Sequence, residues 1–313
     1  MSRTATFVSA ATLLGLAVLL TLLGAGQAEG ATFPEWQALV LGIVQGLTEL
    51  LPVSSSGHLI LVPWLGDWTY LEQHDAFNQT FDVALHLGTL VAVVAYFRRD
   101  ILELAAAFAG SIARRRIRTP AERTAWVVAV ATVPAALVGA AGESVIAEHL
   151  GEPWQIAIFL TLFAGVLWLA DRRPERKTMD EVGLWGAFGI GCAQALALMP
   201  GVSRSGITIS AARFLGLTRD AAARLSFLLL VPIVLGAVLL KGVTDVLLGD
   251  LPAGWAGPFL VGTLAAAGSG LLAIQWLLGY VRRHDYTVFV VYRLVVAAII
   301  VLLIASGVRS ATF

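Results

Sequence analysis

Two long apolar stretches in this chain, residues 36–64 and 182–217, are each broken at their centre, by the Pro-, Gly- and Ser-rich clusters 52–57 and 200–206. A bilayer core of about 30 Å takes about 20 apolar residues to cross as a helix. Neither half of either stretch is that long. Irregular backbone at membrane depth survives only where protein or a water-filled cavity satisfies its polar groups. Each stretch is therefore expected to form a re-entrant hairpin, two half-helices meeting at a turn inside the membrane.

The rest of the chain supports that setting. Uninterrupted apolar runs occupy residues 4–26, 81–97, 125–141, 154–170, 222–240, 258–280 and 288–306. Charged residues make up 13% of the sequence, against about 25% in an average soluble domain, which excludes an ordinary soluble enzyme. With 21 basic and 21 acidic residues, a nucleic-acid partner has no electrostatic support. The single cysteine, Cys192, can form no intrachain disulfide, and no Cys/His cluster suggests zinc. The expected fold is an all-α integral membrane protein with six spans, two re-entrant helical hairpins and one extra N-terminal apolar segment.

Basic residues in short connections set direction. Arg98, Arg99, Arg114, Arg115, Arg116, Arg118 and Arg123 follow one span; Arg172, Arg173, Arg176 and Lys177 follow another; Arg282 and Arg283 follow a third. Counting crossings puts all three groups on one side, read as cytoplasmic. The opposite connections carry Glu143, Glu148 and Glu152, or Asp245 and Asp250. The same count places the C-terminus outside and makes the hairpins enter from opposite faces. Residues 1–33 form a separate segment. Arg3, its apolar run and the small residues from Ala25 to Ala28 fit a signal peptide and an extra span equally well.

The membrane domain, residues 34–313, contains a duplication. The two broken stretches align without gaps at an offset of 149, with ten identities in the 25 positions 36–60. Trp36 matches Trp185, Gly42 matches Gly191, Gln45 matches Gln194, and Ser54, Ser56 and Gly57 match Ser203, Ser205 and Gly206. Shared apolar bias would not align Trp, Gln and a Ser-x-Ser-Gly turn in one register. Oppositely inserted copies, about 36–181 and 182–306, make an inverted-topology repeat with its site near the midplane.

The polar residues beside the breaks are expensive at that depth and are the candidates for chemistry. Glu49 and His58 flank the first break and Arg204 lies in the second. Arg204 with Ser203, Ser205 and Thr208 at the start of a half-helix suits a phosphate. Glu49, one turn from Gln45, could act as a general base or hold a divalent cation bridging phosphate oxygens. His58, after Ser54, Ser55 and Ser56, could deprotonate a serine, protonate a leaving group or attack phosphorus. His86 and Asp82 fit helix packing or a supporting role behind the reacting groups.

Residues 45–58, QGLTELLPVSSSGH, and 200–208, PGVSRSGIT, resemble the two signatures of the bacterial undecaprenyl-diphosphate phosphatase family, also called bacitracin-resistance proteins. The resemblance runs over residues 36–306 and includes FDVALHLG at 81–88 and LSFLLLVP at 225–232. It implies a membrane hydrolase that removes the terminal phosphate of undecaprenyl diphosphate and so recycles the carrier lipid for the cell wall. It also implies a multi-pass protein of the bacterial cytoplasmic (inner) membrane, surrounded by membrane lipid, with a site opening to the periplasmic side. A divalent cation (Mg2+ or Ca2+), no organic cofactor, and a homodimer go with it. Position by position, Glu49, Ser55, His58 and Arg204 match the catalytic group. Ser54, Ser56, Ser203, Ser205 and Thr208 stand as substrate-binding hydroxyls, and Glu49 with Gln45 as the metal site. Gln45 stands where many members have glutamate, and His86 where an amide is commoner. Ser55 is the preferred nucleophile, with Glu49 or His58 taking its proton; attack by His58 or by a cation-activated water are the alternatives. The rival function is a transporter or flippase of the lipid phosphate, to which an inverted repeat is also suited, and a protein that does both is a further alternative.

Overall fold

The computed structural model describes residues 32–242 and 254–312. The N-terminal segment, apart from its last two residues, lies outside these, as do Asp245, Asp250 and the side chains of Glu143 and Glu148. The described residues fold as helices. Six are long and apolar enough to cross a membrane: 75–96, 120–142, 153–171, 219–240, 256–281 and 287–305. All six expected spans are present.

In chain order the helices are α1 (Glu35–Leu50), α2 (Ser55–Gly66), α3 (Asp75–Tyr96), α4 (Arg98–Ala113), α5 (Pro120–His149) and α6 (Pro153–Asp171). There follow α7 (Leu184–Ala195), α8 (Arg204–Phe214), α9 (Arg219–Lys241), α10 (Ala256–Val281) and α11 (Thr287–Ala305). Several helices outrun their apolar stretches. α3 starts six residues before Phe81 because Asp75, Asn78, Gln79 and Thr80 extend the helix without adding to the apolar run. The connection carrying Arg98 and Arg99 also holds an unexpected helix: α4, largely exposed, lies beside α5.

The hairpins have short arms, as expected: 16 and 12 residues in α1 and α2, 12 and 11 in α7 and α8. Proline ends each first arm. It disfavours helical backbone in the residue before it, and Leu51 (ψ 144°) and Met199 (ψ 122°) are extended. Each second arm is then started by a serine, whose Oγ accepts from the amide N–H three residues on, Ser54 from Gly57 and Ser203 from Gly206. Both serines sit at positive φ, 79° and 75°, a conformation that costs a non-glycine residue about 1–3 kcal/mol. The same strain at an offset of 149 carries the duplication into the backbone.

The first arm of each hairpin packs on a helix distant in the chain. α1 lies along α10, and α7 lies along α5. Small residues permit the close approach, as between membrane helices generally. A Cβ on Gly46 would overlap Ala266 O and Ser269 Oγ of α10. Gly46→Leu is therefore expected to cost about 1–3 kcal/mol by overpacking, seen as a lower thermal midpoint in detergent. Gly268→Ala, also on α10 but with nothing within 4 Å of the added methyl, is the control that should not move it.

Candidate active site

The two turns meet. Ser54 Oγ, already capping α2, also accepts from the Gly201 N–H at 3.1 Å, and Ser205 Oγ donates to Leu51 O at 2.9 Å. Each tip thus satisfies backbone groups of the other, as irregular backbone inside a membrane requires.

Glu49, the last acid before the first turn, is 4% exposed. Ser55 Oγ donates to its Oε2 across 2.5 Å, and Gln45 Nε2 lies 3.4 Å from the same oxygen. Arg204 reaches it from the other hairpin, with Nε donating to Oε1 at 3.0 Å. The guanidinium is aimed by a third contact, Nη1 to Ser226 O of α9 at 2.8 Å. Its Nη2 also lies 3.0 Å from Oε1 but off the line of a hydrogen bond, so that donor pairs with the carboxylate by charge alone and makes no hydrogen bond. Removing either member of such a buried pair leaves an uncompensated charge, a loss of about 3–5 kcal/mol.

The expected hydroxyls divide by role. Thr208 Oγ1 donates to Arg204 O at 2.7 Å and touches Ser226 Oγ at 2.8 Å, which fixes the first turn of α8. Ser203 and Ser205 are 3.3 Å apart through their Oγ atoms, and with Ser54 they hold the turns together. Ser56 is half-buried, and none of the contacts that join the group involves its side chain among the described residues.

His58 stands apart from the carboxylate. Its Nδ1–H donates to Ser54 O at 2.7 Å, and its Nε2 pairs with Tyr292 Oη of α11 at 2.8 Å. Because a carbonyl oxygen can only accept, Nδ1 carries the proton, and in the neutral ring Nε2 accepts from the tyrosine. The imidazole that does approach Glu49 belongs to His86, with Nε2 3.5 Å from Oε2 and Nδ1 donating to Asp82 O.

Sequence reasoning missed Ser226, Tyr292 and Arg293. Arg293 lies in α11 with no exposed surface; Nε donates to Pro52 O at 2.7 Å and Nη2 to Val202 O at 3.0 Å. The available signal was an arginine inside the otherwise apolar run 288–306, a costly placement.

Comparison with known proteins agrees with this architecture. The family described as "Bacitracin resistance protein BacA" matches residues 38–299. A protein of Thermomicrobium roseum named undecaprenyl-diphosphatase is 46% identical over 279 residues, covering 86% of this chain and 98% of that one. Proteins of the same name from Moorella thermoacetica and Geobacter sulfurreducens are 47% and 49% identical, covering 85% and 82% of this chain and 96% and 93% of theirs. The matched region takes in the turns of both broken hairpins, five spans in full, α11 as far as residue 299, and every residue around Glu49 and Arg204 described above, and the chain belongs to the bacitracin resistance protein BacA family.

Proposed function

We propose that this protein removes the terminal phosphate of undecaprenyl diphosphate, giving undecaprenyl phosphate and inorganic phosphate. The observation that carries the reading is one carboxylate, Glu49, accepting a hydrogen bond from Ser55 while Arg204 of the other hairpin holds it. The names of the relatives favour hydrolysis over the transporter alternative.

Ser55 Oγ attacks the terminal phosphorus as its proton passes to Glu49 Oε2. The bond from phosphorus to the bridging oxygen breaks, and the leaving undecaprenyl phosphate takes that electron pair. Glu49 returns the proton to the leaving phosphate and next deprotonates the water that attacks the phosphoserine; the bond from phosphorus to Ser55 Oγ breaks, Oγ takes that electron pair, and Glu49 gives it the proton as inorganic phosphate leaves. Arg204, through Nη2, which makes no hydrogen bond, balances charge on the equatorial oxygens, where phosphoryl transfer needs it. The contacts of His58 support this route over attack by its own nitrogen, since Nε2 would first have to leave Tyr292.

Glu49 and Gln45 would hold a divalent cation. Gln45 Oε1 is buried and without a hydrogen-bond partner, and it fits the oxygen-donor chemistry such ions require. When bound, the ion supplies charge neutralisation to the phosphates.

The working orientation is read from charge. The arginine-rich connections face the cytoplasm, and three crossings separate the hairpins, so that they enter from opposite faces of the inner membrane. A cavity of about 480 Å³ opens among Trp64, Asp67, Asp82, Glu152 and Arg309, on the face with fewer arginines. Asp82 is one turn from His86, which supports access to Glu49 from the periplasmic side. A homodimer is part of the proposal on the strength of the resemblance alone.

Purified protein in detergent, where transport has no meaning, is expected to release inorganic phosphate from undecaprenyl diphosphate. Chelation should reduce the rate by about tenfold or more, and Mg2+ or Ca2+ should restore it. No phosphate from protein shown to be folded would overturn the phosphatase reading; full activity after chelation would overturn the cation alone.

A further inference from the structure

Arg293 is the most deeply buried cation near the two turns, and no carboxylate lies within ion-pairing distance of it among the described residues. A charge taken out of water without a counter-ion is costly, and apolar packing would fill the same space more cheaply. Its contacts are specific. One planar fork donates to Pro52 O in the first turn and Val202 O in the second, while Nη1 makes no hydrogen bond. These two carbonyls belong to the strained segments that present Ser55 and Arg204 as the first residues of α2 and α8. The neighbouring residue, Tyr292, holds His58, so a single turn of α11 reaches both hairpins.

We propose that Arg293 is a positioning residue, clamping the two turns in the register that brings Arg204 of one hairpin onto Glu49 of the other. Lysine would keep the charge but lose the planar fork that reaches both carbonyls at once. Gly206 offers a second handle. A Cβ there would come 2.5 Å from Arg293 Nη2, displacing the fork without removing it. The catalytic side of the inference rests on the phosphatase reading; the clamp itself does not.

The test measures amide hydrogen exchange and phosphate release on the full chain in detergent. Arg293→Lys is expected to speed exchange in both turns together by about tenfold or more, while the centres of α6 and α10 stay unchanged. It should lower kcat by about tenfold or more with KM within about threefold, because the reacting groups are misaligned and the lipid is still bound. Gly206→Ala should act in the same direction, and the double variant should be no slower than the slower single one, since both release one clamp. Should Arg293→Lys fail to fold, the same readings from Gly206→Ala decide. Unchanged exchange at the turns overturns the clamp, as does faster exchange throughout the protein. A kcat within about twofold of the parent overturns the positioning role. If the parent itself releases no phosphate, the phosphatase reading fails, and exchange at the turns still decides the clamp.

Discussion

Arg204→Ala is expected to slow phosphate release by about 10³-fold or more, the scale at which a guanidinium acts in phosphoryl transfer. Two functions vanish together. The transferred phosphate loses its cationic partner, and Glu49, 4% exposed, loses the guanidinium that holds its Oε1. Arg204→Lys is expected to recover little, because the native side chain spends Nε on Glu49 and Nη1 on Ser226 O and still has Nη2 to offer. A lysine ammonium is a single point and cannot occupy those three directions. The measurement is single-turnover phosphate release from monodisperse protein with an unchanged helical spectrum. Arg204→Ala turning over within about tenfold of the parent would remove Arg204 from the chemistry.

Ser55→Ala and Glu49→Gln are each expected to lose about 10²–10⁴-fold, the range for removing a nucleophile's activation by a positioned base. The double variant should be little worse than the worse single one, because a base without its nucleophile has nothing to deprotonate. Quenching with denaturing detergent at neutral to mildly alkaline pH during turnover, where phosphoserine and phosphohistidine both survive, should trap phosphate on Ser55 in the parent. Label on His58 would transfer the attacking role to the imidazole. Undiminished turnover by Ser55→Ala, without label on protein, would leave water as the attacking group.

How much of this was legible beforehand depends on the length scale of each feature. The spans were, since the cost of leaving water or entering lipid is read residue by residue along the chain. So were the breaks: Pro52 and Pro200 act on Leu51 and Met199, their immediate neighbours. Duplication was visible as Trp36 against Trp185 and Ser54 against Ser203. Glu49 and Arg204 stood out because ionised groups beside a break are costly there. Helix α4 was not legible, because Arg98, Arg99 and Arg114 to Arg116 read as loop charge, whereas Arg98 and Arg99 begin a 16-residue helix that ends just before Arg114.

By itself, then, the sequence determined a helical membrane protein with six spans, two bent hairpins and an acid, a serine and an arginine at their tips. Tertiary structure alone decided that Glu49 rather than His58 receives the hydrogen bond of Ser55, and that Ser226, Tyr292 and Arg293 support the group. The reason is separation along the chain. The pairs Glu49–Arg204, His58–Tyr292 and Pro52–Arg293 lie 155, 234 and 241 residues apart, and no local propensity encodes which of several buried polar groups will meet when distant helices pack.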